Sequence, residues 1–419
     1  MPELYDSYCY VTQSLYGLSV SPRAWNKHLD KHLRKHGYFT DDADPCLYIK
    51  YDASGCVCIA IASFVDDCLF GGTENAVAEF RRIMTKSDDN PAGFAIVDSG
   101  VPTDFLAMEI DFDESAGTLK IHHSKYLAKA AARYGITQHT KRASVPMLYD
   151  KRLEPAADED ERCDAQLYRS VLGTMQFSVT CVRVDGAQAV RELAKFMYDP
   201  STTHMKAAMH CLAYLVQTKD RGITYECGDT IGVHGFNVAN GTTEMFTDAS
   251  FAEDVVSRHS TSGYASLKNK GALTWGCKGQ SKVALSTGDA ELRALARAFA
   301  EVRWIRKLIL LFSHRAVKSK TREENEEALP PTVIWEDNKS TISWINNPVA
   351  HEKVKHIDVP LKALREAQTE HFSIQVKFIP TNFQLADGLT KSLSPAKFWS
   401  VMAPLLNWRS TFGDTSAAA

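Results

Sequence analysis

Two short apolar runs in the last third of the chain each end in acidic residues, and a long amphipathic segment separates them. The first run, residues 245–247, ends in Asp248, and the second, residues 332–335, ends in Glu336 and Asp337. The surrounding pattern predicts a hairpin over 263–275, a helix over 289–312, a short helix over 343–347, a strand over 372–379 and a final helix from residue 384. This order, β-β-β-α-β-α-β-α, predicts a mixed sheet of five strands with helices packed on it.

Acidic residues stand where these predicted strands end and where these predicted helices begin. Asp248 and Asp337 follow strands. Glu291 lies in the first turn of the long helix, and Asp387 lies near the start of the last helix. Residues at such positions can converge in the crevice at the edge of an α/β sheet, where their mutual repulsion would require cations and their oxygen atoms would suit Mg²⁺. The alternative is that acidic side chains at helix N-termini interact only with the helix dipole.

A second acidic pair lies in the first half of the chain, directly after an apolar run. Residues 56–72 predict two short strands around a turn, and Asp66 and Asp67 fall in that turn. The pair belongs either to a site or to an ordinary Asp-Asp turn. Helices are predicted over residues 14–36 and over most of residues 165–222.

The composition is that of an ordinary folded protein. Hydrophobic residues make up 44% of the chain and charged residues 24%, and apolar stretches such as residues 308–312 are far shorter than the ~20 residues that cross a bilayer. The first ten residues lack the basic and apolar segments of a secretory signal. We therefore expect an intracellular protein, in the cytoplasm or the nucleus, with no membrane contact. The net charge of −3 means that nucleic-acid binding would depend on local basic patches.

Many motifs, in one order over residues 14–392, resemble segments of the Pol polyprotein of copia-type retrotransposons. In the first half, Leu15–Leu18 and Ser21–Trp25 together resemble the LYGLKQSPRAW segment, and Phe64–Asp67 resembles the YVDD polymerase box. Further along, Phe105–Ile110 is similar to FLGMEI, and Tyr168–Gly173 is similar to the start of the connecting region. In the second half, Thr247–Ala249 resembles the first metal-ligand motif, Arg258–Tyr264 resembles RRSTSGY, and Val283–Glu291 resembles VALSSTEAEY. Towards the end of the chain, Glu336–Asn338 is similar to CDN, Lys355–Asp358 to KHID, and Gln384–Lys391 to QLADILTK.

The resemblance implies a C-terminal reverse transcriptase fragment followed by a ribonuclease H domain. The implied fold is an α+β remnant of the polymerase palm and thumb, followed by an α/β ribonuclease H-like domain with a mixed five-stranded sheet. We expect a partial reverse transcriptase over residues 1–150, a mostly helical connection over residues 165–230 and the ribonuclease H-like domain over residues 244–395.

The resemblance also implies a site for endonucleolytic cleavage of the RNA strand in RNA/DNA hybrids. Its catalytic and metal-binding residues would be Asp248, Glu291, Asp337 and Asp387. Two Mg²⁺ ions are implied, with Mn²⁺ as a substitute, one to activate a water and the other to stabilise the leaving 3′ oxygen. Lysines around the hairpin would either contact the phosphates of the hybrid or form an ordinary solvated surface; they are Lys268, Lys270, Lys278 and Lys282.

The polymerase part departs from the family pattern. The first metal-binding Asp of the family lies upstream of the LYGL motif, before this sequence begins, and the Lys-Gln pair of that motif is replaced by Ser19 and Val20. We therefore expect Asp66 and Asp67 to form an incomplete polymerase site without polymerase activity. A separate upstream polymerase fragment that supplies the missing part is one alternative. Another is a non-catalytic relic of the element that still binds nucleic acid.

Overall fold

The computed structural model of the chain describes residues 15, 17–149, 152–227, 243–312, 329–347 and 358–408. The chain forms two compact units. The first comprises residues 1–101 and 304–328, and the second comprises residues 102–303 and 329–419. The domain bounds expected from the sequence, 1–150, 165–230 and 244–395, stay predictions.

The first unit is built on an antiparallel sheet of four strands that follow one another in chain order. Helix α1 (Ser21–Lys35) precedes the sheet and helix α2 (Glu74–Met84) follows it. The strands are β1 (Phe39–Asp41), β2 (Asp44–Tyr51), β3 (Val57–Phe64) and β4 (Asp67–Gly72). Leu29 and Leu33 of α1 and Phe80 of α2 are buried together with the sheet in one core. The helix predicted over residues 14–36 is present but begins only at Ser21, and the predicted pair of strands around a turn is confirmed.

The second unit begins with another antiparallel sheet and a group of helices. The strands are β5 (Asp104–Phe105), β6 (Met108–Asp113), β7 (Thr118–His122) and β8 (Gly222–Glu226). The helices are α3 (Ser124–Tyr134), α4 (Ala165–Cys181), α5 (Ala187–Ala194) and α6 (Thr202–Gln217). Helices α4 to α6 confirm that residues 165–222 are largely helical, because their apolar faces, with Leu172, Leu193 and Leu212, are buried in a common core.

A five-stranded mixed sheet follows, as the sequence predicted. Its strands are β9 (Glu244–Ser250), β10 (Thr261–Lys268), β11 (Gly271–Gly279), β12 (Thr332–Glu336) and β13 (Ile374–Phe378), in the order β11-β10-β9-β12-β13. Strands β9, β10 and β11 are antiparallel, whereas β12 runs parallel to both β9 and β13. Because β9 and β12 are parallel, with Phe246 opposite Trp335, residues at their carboxyl ends reach the same edge of the sheet.

The helices around this sheet differ in part from the prediction. The long helix α7 (Thr287–Leu311) is present, but two helices, α8 (Lys339–Asn346) and α9 (Asp358–Thr369), lie between β12 and β13 where one was predicted. The buried spacing of Leu361, Leu364 and Ala367 is the signal that the sequence interpretation missed. The last predicted helix is divided into a single turn, α10 (Asp387–Thr390), and helix α11 (Pro395–Leu406).

Some predicted features lie outside the described residues. They include Tyr16 of the LYGL motif and residues 355–357 of the KHID motif. Within the part of the chain that the structure describes, no helix has both the length and the apolar character needed to cross a membrane.

Candidate metal centre

The four predicted carboxylates reach one edge of the five-stranded sheet from four different elements. Asp248 lies near the end of β9, and Asp337 directly follows β12. Glu291 comes from the second turn of α7, and Asp387 is the first residue of α10. Asp337 is half-buried, and the other three side chains are buried.

These carboxylates form two overlapping groups. One oxygen from each of Asp248, Asp337 and Asp387 lies within 4.8 Å of the others. A second group, with the same spacing, joins Glu291 and Glu336 to Asp337. Asp337 belongs to both groups, so the structure brings all four predicted residues to one place and adds a fifth carboxylate.

Glu336 is the site residue that sequence reasoning missed. It is the last residue of β12 and is fully buried, and its Oε1 accepts a hydrogen bond of 2.9 Å from the backbone N–H of Asn338. Its position corresponds to the cysteine of the CDN motif, so the chain carries an additional acid there. The available signal was the charge itself, because a glutamate at the end of an otherwise apolar strand is unusual in a buried position.

Two lysines neutralise the first group. The ammonium of Lys391 lies 3.1 Å from Asp248 Oδ1 and 2.7 Å from Asp387 Oδ1. The ammonium of Lys397 lies 3.5 Å from Asp387 Oδ2. The hydroxyl of Thr390 donates a hydrogen bond to Asp248 Oδ2. Lys391 follows Asp387 by four residues, the spacing at which side chains on consecutive helical turns meet.

The second group has no such neutralising partner among the described residues. Oε2 of Glu291 and Oε2 of Glu336 are buried without a hydrogen-bond partner. Burial and the nearby charges of Glu336, Asp248 and Asp337 together raise the pKa of Glu291 to about 11, although the Lys391 ammonium acts in the opposite direction. Burial also raises the pKa of Glu336 well above its usual range, as does Asp337. The electrostatics therefore favour either bound protons or a cation at this group.

In the first group, burial and the neighbouring charges have opposite effects on the pKa values of Asp248 and Lys391. Burial raises the pKa of Asp248, and the Lys391 ammonium partly offsets that rise. Burial alone would lower the pKa of Lys391, but Asp248 and Asp387 reverse this and raise it. Lys391 therefore remains a cation in the structure.

Neighbouring polar groups hold the ends of the two central strands in place. Nε2 of Gln384 donates to the backbone carbonyl of Thr247 at 2.9 Å and to that of Trp335 at 3.4 Å. One amide thereby ties β9 to β12 beside the residues that carry the acids. The hydroxyl of Thr381 donates to Asp337 Oδ2 at 2.7 Å, which fixes the orientation of that carboxylate.

The four predicted lysines of the hairpin differ in their surroundings. Lys278 and Lys282 are exposed. Lys270 forms an ion pair with Glu226, and Lys268 is half-buried with its pKa lowered by burial. Lys278 and Lys282 are therefore the most exposed of the four, and phosphate contact at any of them stays a prediction.

In the first unit, the two acids of the polymerase box lie at the tip of the β3–β4 hairpin. Asp66 and Asp67 are exposed, as predicted for a turn between two strands. Val65 has a φ of 53°, a strained value for a β-branched residue. Its carbonyl accepts a hydrogen bond from Trp25 Nε1, so the Ser21–Trp25 motif contacts the polymerase-box turn directly.

Comparisons with known proteins address this combination of motifs and geometry. Residues 5–149 match the family described as reverse transcriptase (RNA-dependent DNA polymerase). The chain is 28% identical over 396 residues to the retrovirus-related Pol polyprotein from transposon TNT 1-94 of Nicotiana tabacum, which covers 93% of this chain and 27% of the relative. It is also 27% identical over 390 residues to the retrovirus-related Pol polyprotein from transposon RE1 of Arabidopsis thaliana. That alignment covers 93% of this chain and 24% of the relative.

The chain thus spans about a quarter of the length of these curated relatives. Among solved structures, it is similar to LC11-RNase H1 in complex with an RNA/DNA hybrid, at 14% identity and a TM-score of 0.25, over 36% of this chain and 94% of that one. Residues 5–149 thus match the reverse transcriptase family, and most of the chain is similar to the retrovirus-related Pol polyproteins of copia-type plant transposons.

Proposed function

We propose that this chain is a reverse transcriptase/ribonuclease H fragment that cleaves the RNA strand of RNA/DNA hybrids in a reaction dependent on a divalent metal. The observation that carries the proposal is the pair of overlapping carboxylate groups that share Asp337. Mg²⁺ is the proposed ion, with Mn²⁺ as a substitute and two ions as the proposed number. The catalytic roles of Asp248, Glu291, Asp337 and Asp387 are part of the proposal.

The donor atoms fit a hard divalent cation. All of them are carboxylate oxygens, the ligands that Mg²⁺ and Mn²⁺ prefer. Oε2 of Glu291 and Oε2 of Glu336 are buried and have no hydrogen-bond partner among the described residues, and a bound cation would satisfy both atoms. Ions in such a site would activate a water and stabilise the leaving oxygen during phosphodiester cleavage.

The residues of the chain would act as ligands and as positioning groups. Asp337 would contribute to both ion positions, because it belongs to both groups. Thr381 orients the Asp337 carboxylate, and Gln384 holds the two strands that carry the acids. The exposed Lys278 and Lys282 on and beside β11 would contact backbone phosphates of the hybrid, which would be selected by shape and by its 2′-hydroxyls rather than by sequence.

The test is cleavage of a labelled RNA strand in an RNA/DNA hybrid with Mg²⁺, compared between the unmodified chain and Asp337→Asn. We expect about 100-fold or greater loss of cleavage, since the shared ligand loses its charge while its shape is kept. Asp89→Asn, at an exposed position in the first unit, is the matched control and should cleave normally. Equal cleavage by Asp337→Asn and the unmodified chain would rule out this site.

The competing proposal is a relic that binds nucleic acid without cleaving it, and the exposed lysines are the observation in its favour. A folded chain that retains hybrid in a binding assay but cleaves none of it with Mg²⁺ or Mn²⁺ would establish that function instead. Template-directed primer extension, measured with and without an added upstream polymerase fragment, tests the polymerase function of the Asp66–Asp67 turn separately.

A further inference from the structure

The fifth carboxylate of the site lies in an arrangement that neither the motifs nor the four predicted acids account for. Glu336 is fully buried, and one of its oxygens is fixed by the N–H of Asn338 while the other has no hydrogen-bond partner in the described chain. Glu291 is also more than nine-tenths buried, and its Oε2 is equally unpartnered. Each residue offers an oxygen within 4.8 Å of the other and of Asp337.

The cations of the site do not reach this group. Lys391 contacts Asp248 and Asp387, and Lys397 contacts Asp387. Neither lysine forms an ion pair with Glu291 or Glu336 in the part of the chain that the structure describes. Buried carboxylates this close together are stable only with a shared proton or with a cation between them.

We propose that Glu336 is a direct ligand of a divalent cation held together with Glu291 and Asp337. The inference rests on the proposed metal site and extends it, because the four acids carried over from the motifs do not include this residue. The ion position on the Glu291 side would therefore have an additional buried carboxylate, whereas the Asp248–Asp387 side already contains the Lys391 ammonium. We expect the two sides to differ in affinity, with the tighter site at Glu336.

The experiment is a titration of the whole chain with Mn²⁺ in the absence of nucleic acid. Binding is measured by calorimetry and by the loss of the electron paramagnetic resonance signal of free Mn²⁺. The key variant is Glu336→Gln, which keeps the size of the side chain and its acceptor for the N–H of Asn338. We expect the tightest Mn²⁺ site to weaken at least tenfold. Glu370→Gln, on the exposed end of the connection between α9 and β13, is the matched control and should bind Mn²⁺ like the unmodified chain.

A thermal melt without metal monitors the fold. Since Glu336→Gln removes one of several crowded buried acids, we expect it to melt no lower than the unmodified chain and to gain less thermal stability when Mn²⁺ is added. If it fails to fold, Glu336→Asp provides the second test, with weakened binding expected from its shorter side chain. Unchanged Mn²⁺ affinity in a folded variant, or no Mn²⁺ binding by the unmodified chain, would overturn the inference.

The titration separates this inference from the proposed ribonuclease activity. Mn²⁺ binding that depends on Glu336, in a chain that leaves RNA/DNA hybrids intact, would refute the ribonuclease and support the ligand assignment. Hybrid cleavage together with Mn²⁺ binding that ignores Glu336 would support the ribonuclease and assign the glutamate a structural, protonated role.

Discussion

At the scale of single residues, Lys391 gives the carboxylate cluster a cation of its own. Its ammonium contacts Asp248 and Asp387, two buried acids that would otherwise repel each other. The same two carboxylates are proposed to bind a metal ion. A divalent ion that binds both aspartates must therefore displace this ammonium or share the two carboxylates with it.

Replacing Lys391 by Met should reveal that competition, since Met keeps an unbranched apolar stem but removes the charge. We expect the metal-free protein to lose about 1–3 kcal/mol of stability, because two buried carboxylates lose their counter-charge. The rise in unfolding temperature on addition of Mg²⁺ should be larger than in the unmodified chain. Thermal melts with and without Mg²⁺ measure both effects. Lys362→Met, at an exposed i,i+4 pair on α9, is the control, and a result identical to that control would show that Lys391 is not a counter-ion.

At the scale of elements, the position of Asp387 depends on how closely α10 approaches β10. Gly263 of β10 is paired directly with Asp248 of β9. A Cβ placed at residue 263 would lie 2.5 Å from Thr390 Cγ2, 3.1 Å from Leu389 Cβ and 3.3 Å from the carbonyl oxygen of Ala386. All three atoms belong to α10 or to the residue before it, so glycine is required for this contact.

Gly263→Ala should therefore move α10 away from the sheet and take Asp387 with it. We expect about 1–3 kcal/mol of destabilisation from overpacking. We also expect weaker Mn²⁺ binding, because one ligand is displaced. Urea unfolding and Mn²⁺ titration check the two effects. Gly71→Ala on β4 is the matched control, since a Cβ there meets no atom within 4 Å. Normal Mn²⁺ binding by Gly263→Ala would contradict the proposed link between this contact and the site.

The elements also show which parts of the site the sequence could predict. Asp248 and Asp337 were found because a strand end can be recognised from an apolar run that stops at an acid. Glu336 and Lys391 were not assigned roles, because their importance depends on which side of the strand or helix faces the other acids. That orientation is decided by the parallel pairing of β9 with β12 and by the packing of α10, neither of which leaves a local pattern. Helix α9 was missed although the spacing of its buried residues is regular.

At the scale of the whole molecule, the second unit depends on a buried polar cluster far from any acid of the metal centre in sequence. The guanidinium of Arg183 is fully buried and makes two hydrogen bonds to Asp185, at 2.9 and 2.7 Å. The hydroxyl of Tyr214 donates to Asp185 at 2.5 Å. The cluster joins the α4–α5 connection to α6, and removal of either charge would leave the other buried without its partner.

The positive charge of Arg183 affects the pKa of the nearby His123. The ring is fully buried at the start of α3, stacks on Phe177 with the ring centroids 5.2 Å apart, and shares a hydrogen bond of 3.2 Å with the Ser178 hydroxyl. Burial, assisted by the charges of Arg183 and His122, lowers the pKa of His123 to about 4. The Glu109 carboxylate acts in the opposite direction.

The lowered pKa of His123 makes the second unit sensitive to acid. As the pH falls below about 6.5, the unfolded chain takes up a proton at this residue while the folded chain does not, so stability is lost progressively down to about pH 4. The expected loss attributable to His123 between pH 7 and 5 is about 2 kcal/mol, from the difference between the two pKa values. Urea unfolding midpoints measured across this range should fall more steeply for the unmodified chain than for His123→Gln. His139→Gln, at an exposed histidine, should keep the original slope, and equal slopes for all three proteins would show that His123 is protonated in the fold as readily as in the unfolded chain.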